Sequence, residues 1–427
     1  MKKKKRTIRL SGLLALAALT LAWCFSGGVL SAEPADGSET DWPQWQGPHR
    51  DSVSHETGLL DSWPEAGPKV LWRLEMGEGY SGIAISDGRL YTMHSPGEDE
   101  LVVCLDAATG QEIWRTRTDS KYHDDEGNGP RSMPTVDGDS IFALGAQGKL
   151  YALDASNGEK RWEHDFVSEF GSTIPQWGFS TSPLVEGDLL LVEAGGEVGK
   201  SIVAFDKKSG NVMWTSHTDK PAYSSPIAVT FGGKRQIIFL TAKTLLSVSP
   251  RDGKIYWQYI PWPDRNEINI ATPLLIPDDR IFISAAYDKG AVVLQMKATG
   301  DTIAVEEVWK DHAVMQNWTN SSVLLGKYLY GFDKSILKCI DANTGEEQWA
   351  TRGFQRGALI LVDGHLIILG ENGKLALAEA TPSAYKEKAS AQVLAGRCFT
   401  PPTLAGGKLY VRNHEALVCL DMTGLYP

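Results

Sequence analysis

The sequence predicts an all-β fold: an eight-bladed β-propeller of four-stranded antiparallel blades, closed by pairing its N- and C-terminal segments. Three observations predict it. An eleven-residue pattern, small-x-Asp-x-x-x-Gly-x-x-x-Trp, recurs along the 427 residues. A second pattern precedes each copy: small polar residues or Pro, an apolar pair, then a Gly turn. From Ala84 to Pro402 the seven steps average about 45 residues, the length of one four-stranded blade.

The chain opens on a basic stretch, Lys2 to Arg6, then an apolar run, Leu13 to Phe25, then Ser31 and Ala32 before a polar region. This is the layout of a secretory signal over residues 1–32. The apolar run is shorter than the ~20 residues a spanning helix prefers. Cys24 after Leu21-Ala22-Trp23 is similar to a lipobox, from which Trp23 departs. The expected location is therefore periplasmic or extracellular, with anchoring through the N-terminal segment as an alternative. No later stretch is long and apolar enough to span a membrane. The whole chain carries 42 basic and 53 acidic residues, a net charge of −11. Residues 1–32 hold six of the basic residues and no acid, so the rest has 36 basic against 53 acidic, or −17. That balance argues against a nucleic-acid partner, whose phosphates need Lys and Arg.

Residues 33–69 read as a lead-in segment and 70–427 as the ring. Val70-Leu71-Trp72-Arg73 resembles the fourth strand of a blade with no strands before it, while the last copy, Cys419, Asp421 and Gly424, stops after its third strand. Joining them completes an eighth blade and leaves the ring without an open seam. The intervening copies are Cys104/Asp106/Gly110/Trp114, Ala152/Asp154/Gly158/Trp162, Ala204/Asp206/Gly210/Trp214 and Cys339/Asp341/Gly345/Trp349. Ser247/Ser249/Gly253/Trp257 lacks the Asp, and Gly300 with Trp309 marks a copy stretched by insertion. The second blade shows the strand reading: Thr135–Val136, Ser140–Leu144, Lys149–Leu153 and Glu159–Glu163, separated by Asp-Gly and Asn-Gly turns. The seventh is degenerate, because Glu379 to Val393 has neither the turn Gly nor the Trp. No helical periodicity of appreciable length follows the signal.

Three of the five cysteines, Cys104, Cys339 and Cys419, occupy the small slot that Ala152 and Ala204 fill elsewhere. They read as small buried strand residues, not a disulfide framework. Cys-x-x-Cys is absent, so zinc and haem attachment lose their usual signals. Gly77-x-Gly79-x-x-Gly82 fits a dinucleotide fingerprint but leads into a strand, not a helix, so its phosphate rationale is missing. Asp119, Asp124, Asp125, Glu126 and Asn128 form an acidic loop without the ligand order of a calcium-binding EF-hand, and read as solvated.

The repeat resembles the tryptophan-docking motif of pyrroloquinoline-quinone (PQQ)-type propellers, and Trp42-Pro43-Gln44-Trp45-Gln46-Gly47-Pro48 looks like the start of exported bacterial members of that family. The resemblance implies that Trp72, Trp114, Trp162, Trp214, Trp257, Trp309 and Trp349 pack between blades. The residues themselves agree. A Trp four positions after a turn Gly can bury a large area against the next blade. Asp106, Asp154, Asp206, Asp341 and Asp421 can accept the N–H groups of their own turns.

The family contains quinoprotein alcohol dehydrogenases and BamB, a non-catalytic assembly protein. The dehydrogenases place adjacent cysteines, calcium ligands and a base Asp at the quinone. This chain has no adjacent Cys pair, and no position maps onto the calcium ligands or base. No catalytic residue and no metal ligand is therefore assigned. The candidate ligand or partner surface is the channel mouth, where residues ahead of each inner strand converge: Tyr80, Arg131, Trp177, Tyr223, Asn269, Asn317, Trp318, Arg356 and Arg397, with Trp262 and Phe354 on loops beside them. Aromatics mixed with Arg and Asn suit an envelope protein, a peptide or a glycan. The expected function is an exported binding or assembly scaffold with no cofactor. The runner-up is an oxidoreductase using PQQ and calcium on alcohols or sugars. The third reading is a carbohydrate-binding accessory.

Overall fold

The computed structural model describes residues 40–424. The stretch expected to be a signal, residues 1–32 with Cys24, lies outside the described residues. Eight four-stranded antiparallel blades form a ring, with one five-residue helix, Phe166–Phe170, among the described residues. The inner strand of blade 1 is Ala84–Ser86, and the remaining inner strands begin at Thr135, Leu184, Ile227, Leu274, Val323, Gly357 and Thr403. Blade 8 takes its outer strand, Val70–Glu75, from the start of the chain. It pairs antiparallel with Ala416–Asp421 and sets Trp72 opposite Cys419.

One local design repeats. In seven blades the Trp of the outer strand sits directly opposite one residue of the third strand, which is small in six of them and Val293 in stretched blade 5. The pairs include Cys104–Trp114, Ala152–Trp162, Ser247–Trp257 and Cys339–Trp349. Cys, Ala and Ser interchange there because a small side chain leaves room for the indole, and blade 5 accommodates Val293 in the same place. A register shift follows this position in all eight blades, including blade 7, where Ala389 replaces the Trp. The bulge turns the residue before each Trp outward. Ile113 and Met213 are exposed there although apolar.

Each indole then covers the turn of the next blade. Trp72 donates to the Ala107 carbonyl, Trp162 to Lys207, Trp214 to Pro250 and Trp309 to Ala342, at 2.8–3.1 Å. These acceptors each follow the motif Asp position, whereas Trp349 donates to the Thr381 carbonyl of degenerate blade 7 at 2.7 Å. The Asp carboxylates accept from their own turns, as Asp106 does from Thr109 N (2.8 Å) and Asp206 from Ser209 N (2.7 Å). Two blades depart from this pattern. Trp257 bonds Gln236 of its own blade at 3.1 Å, because the stretched blade 5 carries no such turn. Its strands Gly290–Thr299 and Thr302–Asp311 instead lean over blade 4, where Tyr259 donates to Glu307 at 2.6 Å. In degenerate blade 7, Ala389 holds the Trp position. Trp63 of the lead-in segment is buried in the same apolar cluster.

The lead-in segment also fills the channel. Trp42 exchanges two backbone hydrogen bonds with Ile85 of blade 1 (both 2.9 Å), and Pro43 accepts from Val136 of blade 2 (2.8 Å). The chain turns at Gln46, Gly47, Arg50 and Ser52, all with positive φ. Val53–Ser54 then runs back as a parallel strand along the inner strand of blade 7. The segment leaves at Glu56, which accepts the turn N–H groups of Gly406 (2.9 Å) and Gly407 (2.6 Å) in blade 8. Asp41 and Glu56 both meet turns that follow inner strands. The segment therefore enters and leaves through the lower face, and its tip stops below the mouth. Arg50 fixes this tip. It is buried and donates to Pro183 O, Ser182 O and Gln44 Oε1 at 3.0–3.1 Å.

The four described cysteines are free and buried. The three glycines of the Gly77 motif serve close approach: side chains there would collide with Ser95, Pro130 and Met133.

Candidate functional site

The segments ahead of the inner strands end on the upper face, so eight blades deliver side chains to one mouth. There they enclose a cavity of about 150 Å³, floored by Trp45 of the lead-in segment. Trp45 is held by its indole N–H, which donates to Thr272 Oγ1 at 2.9 Å. Of the residues expected at the mouth, Tyr80, Arg131, Trp177, Tyr223, Trp318 and Arg356 line the cavity.

They form a ladder of rings and guanidiniums around it. Arg356 lies 4.5 Å from the Trp318 ring and 4.9 Å from Phe399. Arg397 stacks on the same Phe399 at 5.3 Å, and Tyr80 meets it at 5.2 Å. Arg131 follows, 5.8 Å from Tyr80 and 4.8 Å from Tyr122. Trp177 packs on Tyr223 at 5.4 Å, and Tyr287 on Trp318 at 5.5 Å.

The arginine charges are committed internally. Arg356 makes a bidentate pair with Glu371 (2.9 and 3.1 Å). Arg131 donates to the Gly127 carbonyl at 2.5 Å and to that of Gly129, and burial lowers its pKa. Arg397 donates to the Glu126 carbonyl at 2.9 Å. Tyr80 donates to that carbonyl too, and burial raises its phenol pKa. Burial likewise pushes Tyr223 up to about 12, so it is a neutral hydroxyl at any working pH.

Five residues expected at or beside the mouth do not line the cavity. Asn269 is buried and bridges Thr241 and Ala242 carbonyls to Lys289. Asn317 is buried between Ser284, Ser322 and the Phe332 carbonyl. Trp262 is buried beneath Lys289, 5.4 Å from its ammonium. The two Asn side chains turn inward because adjoining loops must satisfy each other's polar groups there, whereas Trp262 is buried as an apolar ring in the blade 4–5 cluster. Phe354 is buried as well. Arg397 stands behind Phe399 as a support of the wall.

Sequence reasoning missed Trp45, Phe399 and Tyr287. Phe399 occupies the slot ahead of the last inner strand. Tyr287 lies in a turn between second and third strands, which topology returns to the upper face. Trp45 carried no such signal. In the acidic loop, Asp125 and Glu126 are exposed, and local hydrogen bonds hold the loop's shape. Asn128 bonds Asp124 N and Glu78, and Glu126 reaches the cavity. Among the described residues, no cluster of His, Cys, Asp or Glu has metal-holding geometry.

A family model described as outer membrane protein assembly factor BamB matches residues 56–165 and 124–351. A protein of that name from Shewanella oneidensis is 22% identical over 342 residues, covering 74% of this chain and 78% of its own length. One from Yersinia pestis is 24% identical over 213 residues, covering 46% of this chain. The chain thus spans about half (50%) of that relative. Among solved structures, BamB from Moraxella catarrhalis superposes with a TM-score of 0.59 at 15% identity, covering 83% of this chain and 100% of that one. A quinohemoprotein alcohol dehydrogenase from Pseudomonas putida HK5 gives 0.62 at 12% identity, covering 93% and 83%. At such identities the superpositions speak for the fold alone.

Proposed function

The chain belongs to the BamB-like family of PQQ-type repeat propellers, and on that premise we propose that it is an exported, non-catalytic scaffold that holds an envelope partner at its channel mouth. The observation that carries this reading is the state of the mouth's charges. Arg131, Arg356 and Arg397 are bonded to groups of the protein itself. Such a surface is rigid before any partner arrives, which lowers the ordering cost of binding. The matched relatives are named as outer-membrane assembly factors, which supports an envelope protein as the partner.

The quinone reading has less support. PQQ is a tricarboxylate, and a tricarboxylate in this cavity would have to compete with Glu371 for Arg356. Cys398, behind the mouth, has no adjacent Cys partner and its thiol is pushed up to about 12 by burial. The residues present therefore do not fit that cofactor.

Site-specific photo-crosslinking tests the proposal. A photoreactive residue replacing Trp177 should capture a discrete envelope protein, and one replacing Arg251, on a lower-face turn, should not. Stoichiometric binding of added quinone and calcium, with dye reduction on an alcohol or sugar, would overturn it.

A further inference from the structure

The mouth cavity carries a second property, its selectivity for a kind of chemical group. Its walls are ring faces: Trp177 and Tyr223 on one side, Trp318 and Tyr287 on another, with Trp45 beneath. Arg356 is paired with Glu371, Arg131 is bonded to the Gly127 carbonyl with Asp124 3.9 Å away, and Glu126 lines the cavity beside them, so an entering phosphate or carboxylate would meet committed cations and a like charge. The hairpin tip closes the cavity from below, so an occupant enters end-on from the upper face. Two of the inner sheet edges that a peptide strand could join are already taken. The lead-in segment already pairs with the inner strand of blade 7 and bridges to that of blade 1. Ser180, Thr319 and the phenols supply hydroxyls to a largely apolar wall, whose charged members are Glu126, Arg131 and Arg356. Flat apolar faces, neutral hydroxyls and room for one ring suit a group with C–H faces and an equatorial fringe of hydroxyls.

We infer that the mouth takes the neutral terminal pyranose of an envelope glycan, stacked between Trp177 and Trp318 above Trp45. This rests on the mouth being the recognition face. The occupant need not be the partner protein itself; a sugar on the partner or beside it would satisfy the pocket.

Indole-resolved NMR of the full mature chain tests the inference, with cellobiose and methyl β-glucopyranoside as probes. Glucose 6-phosphate and N-acetyl-phenylalanine amide serve as charged and peptide-like controls. The neutral sugars should shift a few indole signals saturably. Trp318→Ala should weaken them roughly tenfold or more, an effect equivalent to losing one good ring contact. Trp318→Tyr should restore most of the binding, which separates stacking from a folding defect. Trp114→Phe, in the blade lattice, should bind like the parent. Absence of any sugar response, tighter binding of the phosphate, or a response to the phenylalanine amide alone would overturn the inference. Crosslinking through Trp177 with no sugar response would sink the sugar and spare the scaffold reading. Sugar binding without any crosslinked protein would do the reverse.

Discussion

The indole of Trp114 lies flat over Gly158 of the following blade, while its N–H donates to the Ala155 carbonyl at 3.0 Å. A Cβ on Gly158 would fall 2.5 Å from that ring, and the backbone there has φ +75°. Trp and Gly of the repeat are thus one interlocking pair, split between neighbouring blades. Trp114→Ala removes a buried ring and should cost about 3–5 kcal/mol. Trp114→Phe keeps most of the area but loses the hydrogen bond, and should cost about 1 kcal/mol beyond repacking. Gly158→Ala should also destabilise, from the other side of the same contact. Urea midpoints of the three variants, with an unchanged slope, check this ordering.

Ring closure depends on more than strand pairing. Arg412 of blade 8 is completely buried and reaches into blade 1, bonding Thr92 Oγ1 (2.9 Å), Met93 O (2.8 Å) and Gly79 O (3.3 Å). Burial without a carboxylate partner lowers its pKa to about 10. Arg412→Met would leave those acceptors unsatisfied and should cost about 2–4 kcal/mol. Thermal unfolding should then begin at the 8–1 junction, seen as early loss of amide protection in Val70–Glu75.

Glu100 gives the fold a pH dependence of known sign. It is buried, accepts from Thr118 and Ala146, and burial raises its pKa to about 7. The folded chain holds that proton where the unfolded carboxyl, near 4.5, has lost it. The contribution is complete below about 4.5 and is lost as pH rises toward 7, amounting to about 3 kcal/mol. Glu100→Gln should therefore stabilise the protein at pH 8 and do little near pH 4.5. His94 and His414, lowered by burial to about 3 and about 4, act oppositely, since stability present above 6.5 drains away on acidification. Urea titrations of parent and variant at the two pH values read the difference directly.

The channel hairpin should behave as part of the ring. Arg50→Ala removes the anchor of its tip and should cost about 2–3 kcal/mol. Hydrogen exchange should show it first at Ile85, Val136 and Leu361, whose amides bond the hairpin, while Ile141 stays protected. Equal exchange at all four amides would show that the hairpin is not anchored by Arg50.

The blades were legible because their contacts are local in sequence: each Trp, small slot, Asp and Gly recurs at fixed spacing. Ring closure was legible too, because Trp72 lacks a blade of its own. The hairpin was not. Its partners Ile85, Thr272 and Leu361 are far away in sequence, and its turns rest on positive φ at Gln46, Arg50 and Ser52, which no periodicity announces. The mouth was legible in part, since loop position says which face a residue is on, not which way it points. Asn269 and Asn317 share the loop position of Tyr223 and Trp318, yet their amides satisfy carbonyls and hydroxyls of adjoining loops instead of facing the cavity.

The bulge beside each repeat Trp also governs how the molecule treats its own copies. A ring of eight sheets exposes eight outer edges, each a template on which another chain could add a strand and begin a polymer. The bulge breaks the flat run of donors and acceptors at mid-edge, and the long hairpin of blade 5 shields the edge of blade 4. The exposed Ile113 and Met213 are then tolerable, because they stand on edges that cannot zip together. Deleting Ile113 would flatten one edge, and the expected product is edge-joined oligomers rather than an unfolded monomer.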